Sequence, residues 1–219
     1  MSVTPTLEWT PRLWCRTMAG MPASKVDPIP GDRLVTTIVA VWLVAALAVG
    51  ASGNLSGLRP PVPQLVLAGL TLLLLAGVAT VRPLRSWAKA VDPRVLVSLH
   101  LTRFIGVYFL LLHRRGELPF EFAVIGGWGD IAVATLAVGL LLGGPIESAG
   151  LRRAYQAWNA VGLLDLLFVV TTAARMGSIN ADLMAPLLRL PLSILPTFLI
   201  PLLLTIHVIL ARRLLRPTG

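Results

Sequence analysis

The stretch Phe120–Gly143, FEFAVIGGWGDIAVATLAVGLLLG, is long and apolar enough to cross a bilayer, and it carries an acid near its middle. Such a crossing takes about 20 predominantly apolar residues. In hydrocarbon every backbone N–H and C=O needs a partner inside the protein, so a single stretch of this kind is expected as a helix. Three glycines lead up to the acid in Gly126-Gly127-Trp128-Gly129-Asp130. A carboxylate at that depth costs about 2.5–3.5 kcal/mol on insertion scales unless it has a partner or a water-filled cavity. Neighbouring apolar stretches offer partners, Arg103 before it and Asp165 after it.

Five further stretches resemble it in length and character. The expected spans are approximately 34–51, 64–81, 95–113, 120–143, 154–174 and 192–212. The fold class expected is therefore all-α, a polytopic integral membrane protein built as a bundle of about six transmembrane helices. Composition agrees. The chain is 13% charged with mean hydropathy +0.80, against about 25% charged for a soluble domain. That leaves too little polar surface to cover a water-soluble globule of this size.

The net charge of +9 does not point to nucleic acid. The basic residues sit in short clusters between apolar runs, where the lipid bilayer would present anionic headgroups to them. Cys15 is the single cysteine, so an intrachain disulfide is excluded. No CxxC, HExxH, Walker loop or GxGxxG is present, so no enzyme class, resident cofactor or metal site is expected from motifs.

Residues 1–33 are expected to be a cytoplasmic tail. Trp9, Leu13 and Trp14, with Arg12 and Arg16, suit a short helix on the membrane surface, while five prolines suit a tail without fixed structure. Ala48-Val49-Gly50 is a tolerable cleavage site, so a signal peptide competes with the first span. The preceding region is longer and richer in proline than such a peptide. Residues 176–190 read as re-entrant or interfacial. Pro186, Pro191, Pro196 and Pro201 then predict an irregular entry, with regular helix only after Pro196. Residues 214–219 form a second tail.

Six spans place both termini and the 82–94 and 144–153 loops on one side. That side holds 13 of the 19 Lys and Arg, the other side five, and Arg103 lies between. Positive-inside bias makes both termini cytoplasmic, in the cell's inner membrane.

The polar residues fall at two depths. At ~1.5 Å per helical residue, Arg103, Asp130 and Asp165 all lie near the middle of a ~30 Å core. His100, Asn159 and His207 form a second layer nearer the cytoplasm. His100 and Arg103 are three apart and share a helix face, as do Trp158, Gly162 and Asp165.

One arginine between two carboxylates leaves one acid free to follow a proton, ion or small polar solute. Binding or transport is the first functional expectation. The glycines beside Asp130 would let another backbone approach or open the helix around a ligand. In a second reading, a structural or accessory subunit, the charges only specify helix partners. In a third, His100 and His207 are the axial ligands of a b-type haem, with Arg103 at a propionate, or flank a quinone. A fourth makes Asp130 and Asp165 a catalytic carboxylate pair, without the motif context of an intramembrane protease. A homodimer or larger membrane complex is a further expectation, through Gly139-x-x-x-Gly143.

Overall fold

The computed structural model describes residues 29–215. The readings for residues 1–28 and 216–219 lie outside the described residues. The described chain is all-helical, with 84% helix and no strand. Six helical segments are long and apolar enough to cross a membrane: Asp32–Ala51, Val62–Thr80, Pro93–Arg114, Glu121–Leu142, Ala149–Ile179 and Leu195–Leu214. They are called the first to sixth spans below. Each lies within a few residues of its expected position except the fifth. That helix starts at Ala149, where Ser148 Oγ accepts from the Leu151 N–H as an N-cap. It then continues past Arg175 to Ile179.

Three spans depart from regular α-helix where the sequence is unusual. The third begins as α-helix over Pro93–Ser98, tightens to a 3₁₀-helix over Leu99–Ile105, and returns to α-helix over Gly106–Arg114. A 3₁₀-helix has three residues per turn, so residues i and i+3 stack directly above one another. Burial follows that period through the 3₁₀ segment, where His100 and Arg103 turn inward between Val97 and Gly106, and Phe109 and Leu112 continue the buried face in the α-helix. The fourth span opens with a π-helical segment, Glu121–Gly126, which ends against Gly127. The sixth begins with a π-helical segment, Leu195–Leu199, and is regular α-helix from Ile200. Between the fifth and sixth spans, Ala181–Leu188 is a 3₁₀-helix with Pro186 inside it.

The third to sixth spans form the packed centre. Leu96, Val97, Val133, Ala137, Tyr155, Leu166, Leu203 and Leu210 are buried in one cluster. The first two spans lie outside. In the first span, Trp42 Nε1 donates to the Thr197 carbonyl at 3.0 Å and its ring meets Phe198 edge-on at 4.7 Å. The second packs on the sixth and on the connecting helix Arg82–Ala90.

At the end of the bundle where the described chain starts and stops, at residues 29 and 215, basic residues serve helix C-termini. Arg94 Nη2 donates to the Leu141 carbonyl at 2.8 Å, and Arg152 Nη2 and Gln156 Nε2 donate to the Leu214 carbonyl at 2.7 Å each. Arg213 donates to the Val91 carbonyl. The last carbonyls of a helix lack intrahelical donors, and cations there also meet the negative end of the helix dipole. These arginines therefore join spans to one another as well as carrying the charge asymmetry.

Candidate functional site

Arg103 stands at the centre of the bundle with its side chain almost wholly buried. Its Nε donates to Asp130 Oδ1 at 2.6 Å, its Nη1 to the Gly162 carbonyl at 2.9 Å, and its Nη2 to Asp165 Oδ2. One guanidinium thus joins the third, fourth and fifth spans. The three ionisable residues singled out in the sequence are brought into direct contact.

The glycines make the contact possible. A Cβ at Gly106 would collide with the Gly127 carbonyl oxygen, so the third and fourth spans touch backbone to backbone there. That crossing sets Arg103 beside Asp130. A Cβ at Gly129 would occupy the place of the Asp165 carboxylate. A Cβ at Gly126 would lie 3.0 Å from Val169 Cγ2 on the fifth span. Each glycine before Asp130 admits a different neighbour, while Trp128 points outward and is 60% exposed.

Two protein environments distinguish the acids. The Asp130 side chain is 6% exposed and that of Asp165 is 16% exposed. Both are held by the same cation. When both are ionised, the group carries one negative charge in excess.

The second layer is also assembled. Asn159 Nδ2 donates to the His207 backbone carbonyl at 3.2 Å, and its Oδ1 lies 2.9 Å from His207 Nδ1. With the amide so oriented, Oδ1 is an acceptor and Nδ1 carries the hydrogen, which makes Nε2 an acceptor in the neutral ring. That Nε2 and both ring nitrogens of His100 are buried without a partner among the described residues. The His100 and His207 rings are tilted against each other with centroids 4.3 Å apart, and Trp158 stands edge-on to His100 at 4.9 Å. Trp158 is itself fixed by Nε1 donating to the Val133 carbonyl at 3.0 Å. A Cβ at Gly162 would lie 2.9 Å from His207 Cε1, so that glycine admits the ring as its carbonyl receives Arg103.

These positions do not fit the haem alternative. Axial ligation needs the two imidazoles on opposite faces of a macrocycle, with the iron between them. His100 and His207 are in ring contact, with no gap for a porphyrin.

A cavity of about 240 Å³ reaches the charged group. Arg103 and Asp130 close its inner end. Its walls come from the second span at Gln64, Leu67 and Ala68, from the fifth at Val170 and Ala174, and from the sixth at Leu199 and Leu203. Gln64 lines it, and its Oε1 is buried without a hydrogen-bond partner among the described residues. Sequence reasoning did not reach this wall. Residues 64–81 carry no charged side chain, and Gln64 at their start was the one polar signal pointing to this wall.

Residues 60–215 match the model of a domain family described as a domain of unknown function, DUF8737. The chain belongs to that family. No match was found among curated proteins or among solved structures. The family region starts at Pro60, after the first span, and contains the second to sixth spans, the charged group, the histidine pair and the cavity walls just named.

Proposed function

We propose that this chain is a multi-pass protein of the cell's inner membrane, with both termini cytoplasmic, whose Arg103–Asp130–Asp165 group binds a proton or cation in the course of transport. Membrane residence is supported by the six apolar helices and by the large apolar side chains on their outer faces. Leu72, Leu73 and Leu164 are each about two-thirds exposed. Orientation rests on the charge asymmetry of the loops.

The observation that carries the functional reading is one buried guanidinium shared by two carboxylates at the end of a cavity. An uncompensated charge in such surroundings is costly. One bound proton or one monovalent cation brings the group to neutrality. Three N–H groups of Arg103 are already engaged by its partners, which fixes the guanidinium and leaves the exchangeable charge to the acids. His100 and His207 extend the polar groups toward the end of the bundle where Arg94, Arg152 and Arg213 hold helix C-termini.

Infrared difference spectra of the detergent-purified protein across a pH series test this. The expected result is a protonated-carboxyl band that titrates and is lost in Asp130→Asn or Asp165→Asn. If no such band exists at any pH, both acids stay ionised on Arg103. The group would then be a device for joining spans in a structural or accessory subunit.

A further inference from the structure

We infer that the cavity admits an amphipathic organic cation from the lipid side, which replaces the proton on Asp130. This rests on the proton-binding reading above and names the substrate class for the same site.

The chemistry of the walls sets the class. About 240 Å³ is lined almost wholly by aliphatic and aromatic side chains, so the body of an occupant is apolar. An apolar cavity of roughly 150 Å³ already admits benzene. Of the charged group, Arg103 and Asp130 line the cavity, and Asp165 holds Arg103 from outside that lining. An anionic head would raise the group's excess to two negative charges, and a cationic head removes it. Asp130 Oδ1 accepts from Arg103, and its other oxygen receives no hydrogen bond among the described residues. That oxygen is the acceptor for an ammonium or other cationic head.

Entry follows from the arrangement of the spans. The second span packs on the sixth and on the connecting helix rather than along the fifth. Ala68 on the second span and Thr171 on the fifth both line the cavity and are both exposed on the outer surface. The mouth therefore opens where lipid chains would lie, so an occupant must partition into the membrane to reach it. Toward the other end Gly177 approaches Pro60 and Gln64, with Met184 beside it.

Proton and cation exclude one another by charge. The charged or titratable groups facing Asp130 are Arg103 from the third span and Asp165 from the fifth, while His100 of the third span and His207 of the sixth bear on Arg103 and on each other. The cavity wall of the second span adds only the neutral Gln64. With one guanidinium for two acids, the group reaches neutrality with one added positive charge. Binding the cation then breaks the Asp130 carboxyl O–H bond, and water or buffer takes up the proton while the cation pairs with the carboxylate it leaves.

The test is calorimetry on the full chain in lipid nanodiscs, with empty nanodiscs subtracted. The probes are 4-phenylbutyl-trimethylammonium, whose charge is permanent, and 4-phenylbutane-sulfonate as its anionic match. The expected result is saturable binding of the cation alone, with proton release read from buffers of different ionisation enthalpy and with affinity falling as pH is lowered. Asp130→Asn and Ala174→Phe should each weaken it by at least about tenfold. Ala174→Phe fills the wall without touching the charged group, so it serves where Asp130→Asn does not fold. Equal or tighter binding of the sulfonate overturns the inference. So does absence of cation binding while the titrating carboxyl band persists, and that outcome leaves the proton-binding reading standing. Absence of the band overturns both.

Discussion

The second and sixth spans are nearly matched as sequences. They have 19 and 20 residues and mean hydropathies of 2.1 and 1.8. Their places in the bundle are opposite: none of the most apolar window of the second is buried, and 61% of that of the sixth is. In water the more apolar helix would go inside. Among helices that cross a membrane, apolarity gives no such preference, because lipid chains are as apolar as leucine. The sixth span is distinguished by Thr205, His207 and Pro201, all three buried. Polar groups and close backbone approach sort the spans. The third to sixth share a charged group and a histidine pair, and the first two surround them.

The sharpest way to break that contrast is Arg103→Ala. It leaves two buried carboxylates without their cation, and a loss of roughly 3–5 kcal/mol is expected. Adding Asp130→Asn should restore part of it, read as a coupling in thermal unfolding of the detergent-purified protein. Equal stability of the single and double variants would remove the ion pair from the packing of the inner spans.

Gly106→Ala comes next. Its Cβ meets the backbone of Gly127, which cannot swing aside, so about 1–3 kcal/mol of overpacking is expected. A variant as stable as the parent would mean that the third and fourth spans do not cross there.

Asn159→Ala removes both ends of its clasp on His207, and about 1–3 kcal/mol is expected for the groups left bare. Trp42→Ala tests the attachment of an outer span to an inner one. It removes one hydrogen bond and one edge-on ring contact, and about 1–2 kcal/mol is expected from their combined loss.

Leu73→Ala on the second span should change stability by no more than about 0.5 kcal/mol, since that side chain is 68% exposed. A large loss there would place a partner surface on the outer spans. The same unfolding assay reads all five.

Much of the fold is legible in the sequence because a span is announced locally, by about 20 apolar residues between turn and charge signals. The six spans were read to within a few residues at most ends. The miss at the fifth has a plain cause. Ala149–Arg153 is polar enough to read as loop, yet its arginine side chain at 152 folds onto the Leu214 carbonyl and the helix extends through it. The irregular entry of the sixth span was legible from its prolines. The 3₁₀ stretch of the third was not read, although Val97, His100, Arg103 and Gly106 stand at a strict interval of three. Under an assumed period of 3.6 that interval drifts around the helix, and under a period of three it is one face.

For the site, the sequence by itself determined which residues are too polar to face lipid: Arg103, Asp130, Asp165, His100, Asn159 and His207. Hydropathy and depth are properties of each stretch alone, so they survive without a fold. Only the tertiary structure decided that both acids meet the same guanidinium, that the histidines touch each other rather than flank a macrocycle, and that Gln64 of an outer span lines a cavity. Those facts depend on which helix faces meet and at what crossing. That is set by where glycine lets backbones touch, which no single stretch records.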